Sequence, residues 1–282
     1  MTKKKITMFP EVWDELTERD WASMLLLRES LLERRSDAPA VTIEDIRNEA
    51  ARRLLLNRGL RTRTRNDKYM LLVAECGKRL SWLWEQDDEG RVSLVYRSTV
   101  QLQPAWDGLR GPMSHGADLV FGEFKDALAL CQLYDKTGDE ALLQQLAGLL
   151  YRRRAQKKGQ WPLRVDYDLD GAEEQMARGR RMPRWFVWGV YAWFSFFCEY
   201  LTTGIFIIDG QEVCFKEVFK SSPESSKKGG EKVGLGLTGI ALTLAESRVF
   251  GDFEDVLHTP LMRVMMKLLQ DSKALSFAKA KS

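Results

Sequence analysis

The sequence predicts a mainly α protein, an irregular helical fold with a small β-hairpin or short strands near residues 91–103. Three observations predict it. Apolar residues recur at helical spacing along most of the 282 residues, with cap residues in front of several runs. Strand-like alternation is confined to "RVSLVYRSTVQLQP". Neither a repeat of solenoid length nor a βαβ rhythm is visible.

Taken in order, "TERDWASMLLLRESLLERR" forms a helix after Thr17, with Asp20 as the acid of the first turn. Trp13 and Glu15, just before it, read as an anchor and a cap for that helix. A second helix fits "TIEDIRNEAARRLLLNRG", capped by Thr42, with Asp45 at N3 and Gly59 as its stop. Residues 68–85 are expected to be helical, "DDEG" to be a turn, and "DGLRGPMSHG" to be a loop. A helix pair is expected over 117–155, broken near Gly138. The acidic first turn and basic last turn of the second, "DEALLQQLAGLLYRRRAQKKG", suit the helix dipole. The stretch "SSPESSKKGGEK" reads as a hinge or mobile loop at 220–232, and the last residues as a frayed basic tail. This organisation gives an N-terminal helical region with a short β element over 1–110 and a C-terminal helical region over 111–282, or one continuous domain.

Composition narrows the function classes. Lysine and arginine number 43 against 40 acids, a net charge of +3, too balanced to mark a nucleic-acid binder. The four cysteines, Cys76, Cys131, Cys198 and Cys214, form no CxxC pair and read as reduced, mostly buried thiols. The two histidines form no HExxH motif, so no metal is expected. "MTKKKITMFPEVWDELTERD" has no apolar core of a signal peptide, and a cytoplasmic location is expected. The most apolar run, Trp185 to Ile208, is interrupted at Ser195 and Glu199; a core helix is favoured over a membrane or interfacial one.

Three motifs invite chemistry. "DYDLDG" places Asp166, Asp168, Asp170 and Gly171 at positions 1, 3, 5 and 6 of a calcium loop, with Glu174 at position 9. Position 12, which needs a bidentate glutamate, is Ala177, so a charged loop balancing Arg178, Arg180, Arg181 and Arg184 is expected instead. "GLGLTG", Gly234 to Gly239, matches the glycine spacing of a dinucleotide turn but follows a polar, glycine-rich stretch rather than a strand. No cofactor is expected. Glu123, Asp126 and Glu199 can be imagined as an acid–base set, but their spacing does not pair them. No catalytic residue is assigned.

The pieces "FPEVWDELTERDW", "FGEFKDALAL" (Phe121 to Leu130), "LAGLLYRRR" (Leu146 to Arg154) and "GLTGIALTLAESRVFG" (Gly236 to Gly251) together resemble a group of Bacteroidota phage and prophage proteins encoded near tail genes. The resemblance implies a cytoplasmic accessory or assembly role in tail building, chaperone-like, whose partner is a phage structural or tail component. It brings no catalytic residues.

The leading expectation is therefore a non-enzymatic protein acting through protein–protein contacts, with Trp185, Trp188, Trp193 and Phe197 as candidate interaction residues. The alternatives are a nucleic-acid-associated factor, using Arg152, Arg153, Arg154, Lys157 and Lys158 to bind anions, and an enzyme with a pocket near Glu199.

Overall fold

The computed structural model describes residues 9–34, 41–60, 67–155, 164–168, 171–220 and 236–281. The expected hinge at 220–232, apart from its first residue, together with Lys157, Lys158 and Asp170, lies outside them. The chain is mainly helical with short antiparallel strands, and it divides into two units. One comprises Met1–Gln103 with Pro183–Trp193, and the other Pro104–Met182 with Phe194–Ser282.

The first unit holds helices α1 (Glu18–Leu32), α2 (Ile43–Asn57) and α3 (Asp67–Lys78) and the hairpin β1 (Trp84–Gln86) and β2 (Val92–Leu94). Both expected caps are present. Thr17 Oγ1 accepts from the Asp20 amide while Asp20 Oδ2 accepts from the Thr17 amide, and Thr42 and Asp45 repeat the exchange. Asp20 does more than cap. It is 1% exposed, and its other oxygen accepts from Arg58 and Asn57, tying the end of α2 to the start of α1. Trp13 lies in a short 3-10 turn, its ring meeting those of Trp21, Trp82 and Tyr96. Glu15 accepts from the Glu11 amide and does not cap α1.

The expected helix over 68–85 stops at Lys78. Its last turn, at Gly77, packs so close to α2 that a Cβ there would lie 3.2 Å from the Asn48 amide nitrogen. Beyond it, Trp84 enters β1, and its carbonyl accepts two bonds from Arg47. Tertiary hydrogen bonding thus overrides the helix propensity of "SWLWE". The expected strand region also begins as such but ends at Leu94. Residues 95–103 run irregularly through the interior, where Ser98, Thr99, Gln101 and Gln103 are buried. Their alternation is not that of a half-solvated sheet. Gln103 receives the Trp21 indole N–H and donates to the Phe186 carbonyl, and the Thr99 carbonyl receives the Trp193 indole N–H.

The second unit is built on α4 (Phe121–Thr137) and α5 (Glu140–Leu150), joined at Gly138, whose φ of 68° makes the left-handed turn that closes α4. Then follow α6 (Ala172–Arg178) and a 3-10 turn, Gly179–Arg181. These pack on α5 through glycines: a Cβ on Gly148 would lie 2.5 Å from the Gln175 carbonyl. Helix α7 (Arg184–Thr203) gives its first half to the first unit and its second half to this one. The hairpin β3 (Ala105–Trp106) and β4 (Leu109–Arg110), with β5 (Arg152–Arg153), forms a three-stranded sheet, and β6 (Phe206–Ile208) pairs with β7 (Gln211–Val213). Both hairpins turn on an Asp–Gly pair with positive φ, Asp107–Gly108 and Asp209–Gly210, the dipeptide that two-residue hairpins favour. Helices α8 (Lys216–Lys220), α9 (Gly236–Glu246), α10 (Phe253–His258) and α11 (Leu261–Lys281) complete the unit. The C-terminal segment expected to fray is helical through Lys281. Among the described residues no helix is long and apolar enough to cross a membrane.

Candidate functional site

The residues singled out in the sequence scatter to different fates. Trp185 and Trp188 are half-buried, with the Arg28 guanidinium 3.8 Å from the centre of the Trp188 ring. Trp193 and Phe197 are corrected: both are fully buried, Trp193 bonded to the Thr99 carbonyl and Phe197 packed against Phe124 and Phe194. Their spacing from Trp185 and Trp188 puts them on the inner face of an amphipathic helix. Neither offers surface to a partner.

The basic cluster is split by strand geometry. The expected helix end at 152–154 is corrected, because α5 stops at Leu150 and the arginines enter β5. Successive residues of a strand face opposite sides. Arg152 therefore turns inward, 3% exposed, and Arg153 outward. Arg152 is lost to solvent anions, since its Nη2 donates to Glu123 Oε2 at 2.9 Å.

That pair belongs to a closed charge cluster which the sequence did not reveal. Arg164 is 1% exposed and forms an isolated antiparallel bridge with Arg154, the residue after β5. Its Nε donates to Asp118 Oδ2 at 2.7 Å, and its Nη1 to Glu123 Oε1 at 2.8 Å and to the Leu150 carbonyl at 2.7 Å. Two guanidiniums and two carboxylates balance. Burial works against charge on Arg164, but Glu123 and Asp118 outweigh it and its pKa stands above the ordinary value. Arg152 is held below it, burial being only partly offset by Glu123 and aggravated by Arg164. Two of its nitrogens, Nε and Nη1, are buried without a hydrogen-bond partner. Beside the cluster, Tyr167 donates its hydroxyl to Asp126, and burial first, then that carboxylate, pushes the phenol upward. Such an enclosed, neutral set organises a core; it gives no substrate access to a reacting group.

The imagined acid–base set is not assembled. Glu123 is spent on arginines, Asp126 on Tyr167 and Lys125, and Glu199 stands exposed on α7. Glu199 lines neither of the two clefts described next. In the acidic loop, Asp166 and Asp168 are exposed; Glu174 lies beyond it on α6 and pairs with Arg178 one turn on, at 2.8 Å. Arg184 instead approaches Glu29, at 3.9 Å. Gly236 of the glycine motif opens α9, while Gly234 and the residues before it lie outside the description.

Two surface clefts within the second unit stand out among the described residues. One, of about 460 Å³, lies between the β3–β4 turn, β5 and the α6 end, and gathers Trp106, Arg153, Arg178 and Arg181. The other, of about 650 Å³, runs along α11. Met262, Met266 and Leu269 form its α11 wall, and Ile208, Val249 and Phe250 the opposite one. Val249 is 49% exposed and Met266 38%. Arg263, Lys267 and Lys273 also line it, as do Asp209 and Gln270. Lys267 is paired with Asp271, whereas the side chains of Arg263 and Lys273 have no acidic partner among the described residues. At 100° per residue, positions 262, 266, 269, 273 and 277 share one side of α11, so the exposed Phe277 prolongs the stripe. The signal was present in "LMRVMMKLLQDSKALSF": a run too rich in methionine for its helical surface to be wholly polar.

Compared with models of known protein families, with curated proteins and with solved structures, the chain matches none.

Proposed function

We propose that the protein is non-enzymatic and works by holding another protein, in the α11 groove rather than on the aromatic face of α7. One observation carries this reading: a largely apolar, methionine-walled groove open to solvent, lined by Asp209 and by Arg263 and Lys273, two cations without an ion pair among the described residues. Methionine side chains adapt to varied apolar surfaces, as recognition of helical segments requires. The cationic edge fits an amphipathic helix with carboxylates flanking its apolar stripe. The resemblance to proteins encoded near tail genes would place this binding in the cytoplasm, on a phage structural or tail component before its assembly.

The test uses labelled peptides of about five helical turns, apolar on one stripe and flanked by either glutamate or lysine. Fluorescence anisotropy should show the glutamate form binding at least about tenfold tighter, a difference of roughly 1.4 kcal/mol. Met266→Glu should abolish binding, and the Arg263→Glu, Lys273→Glu pair should remove the preference. Equal binding of both peptides, or affinity untouched by Met266→Glu, would rule the groove out.

A further inference from the structure

We propose that the arginine cleft is a second, separate binding site, for a nucleotide held by its phosphate and its base. The inference stands apart from the protein-binding reading and uses different residues. The cleft volume, about 460 Å³, is that of a small-molecule site. Arg153, outward on β5, and Arg181, in the 3-10 turn after α6, are exposed; Arg153 shares the field of Glu174 with Arg178, and Arg181 forms no ion pair among the described residues. Arg178 lies in the same cleft, held by Glu174. Guanidinium forks match phosphate oxygens in pairs, and arginines reaching one cleft from two different elements can grip a phosphate from two sides.

The aromatic wall separates a nucleotide from a bare anion. Trp106, half-buried on β3, lines the same cleft as the three arginines, with Leu109 and Met182 adding apolar surface. An indole offers a stacking surface to any base. Asp107, exposed in the positive-φ turn beside Trp106, supplies an acceptor for base amino groups or ribose hydroxyls. The neighbouring acids also keep the cleft only mildly basic, which favours a ligand that brings a base as well as charge. A free nucleotide and a single strand share this chemistry, and the test separates them.

The full chain is titrated with 5′-AMP by calorimetry, and with a fluorescein-labelled oligo(dT) of roughly 12 nucleotides by anisotropy, at two salt concentrations. Arg153→Glu and Arg181→Glu, both at exposed positions, should each weaken binding about tenfold or more, and Trp106→Phe should weaken it less than Trp106→Ala. Saturable AMP binding with no tighter oligonucleotide binding assigns the site to a free nucleotide. An oligonucleotide bound about tenfold tighter than AMP, with affinity falling steeply in salt, assigns it to a strand. Binding of neither probe at low salt, or binding that both charge reversals leave unchanged, overturns the proposal.

Discussion

Replacing Arg164 by methionine tests whether the closed charge cluster holds the second unit together. The change removes two hydrogen bonds to Glu123, one to Asp118 Oδ2 and two to backbone carbonyls at 118 and 150. It leaves two buried carboxylates facing one guanidinium. Breaking a buried pair by deleting one partner costs about 3–5 kcal/mol, a large part of an ordinary domain's 5–15 kcal/mol. Adding Asp118→Asn restores a one-to-one balance between Glu123 and Arg152, and the asparagine oxygen can still accept from the Met113 amide. The double variant should therefore recover at least about 1 kcal/mol relative to additivity. The assay is urea unfolding followed by far-ultraviolet circular dichroism. Tryptophan emission suits it poorly, because Trp13, Trp21, Trp82, Trp84, Trp185, Trp188 and Trp193 all belong to the first unit. A loss below about 1 kcal/mol in Arg164→Met would mean that the idle donors of Arg152 take over, and the reasoning would fail.

Four further outcomes are expected. Thr17→Ala should destabilise by about 1 kcal/mol through loss of the α1 cap, read from the urea midpoint. Hydrogen bonds from Thr42 hold the Asp45 carboxyl below its ordinary pKa, so their stabilisation is complete above about pH 4 and fades as pH falls through the lower folded value. The stability gap between wild type and Thr42→Ala should narrow over that acid range, and a constant gap would contradict it. Gly148→Ala should destabilise by about 1–3 kcal/mol, because the added methyl meets backbone oxygens of Gln175 and Met176 at 2.5 and 2.6 Å rather than a movable side chain. Exposed Cys214 should react promptly with an aromatic disulfide reagent at neutral pH; burial pushes Cys76 up to about 11 and Cys131 up to about 12, so these two should wait for denaturant.

Local signals were legible where local chemistry decides. Thr17 with Asp20, Thr42 with Asp45, and Gly138 announce helix ends because the partners of those bonds lie within four residues. The Asp–Gly hairpins at 107–108 and 209–210 were equally local but were masked by a glycine-rich loop reading in one case and an apolar run in the other. The buried cluster could not be read at all. Arg164 meets Asp118 and Glu123 across forty or more positions, and nothing in "PLRVDY" distinguishes an inward arginine from an outward one. The same holds for the "RRR" run, whose meaning changed once β5 replaced a helix end. The α11 groove was half legible: its helical period was evident, but which face stays uncovered is settled by tertiary packing.

The first unit is discontinuous along the chain, and this bears on how a ribosome must make it. When residue 103 has been added, Gln103 and Thr99 still lack the Phe186 carbonyl and the Trp193 indole that complete their bonds. Gly189, where a Cβ would come 2.7 Å from Leu25, marks how closely the missing helix will seat on α1. The ninety residues from Gln103 to Trp193 take on the order of 5–18 s to synthesise. For that interval the nascent N-terminal unit lacks the segment Pro183–Trp193 that completes it. That segment emerges only after the whole of Pro104–Met182 has left the exit tunnel, so an expression fragment ending near residue 110 would lack it permanently.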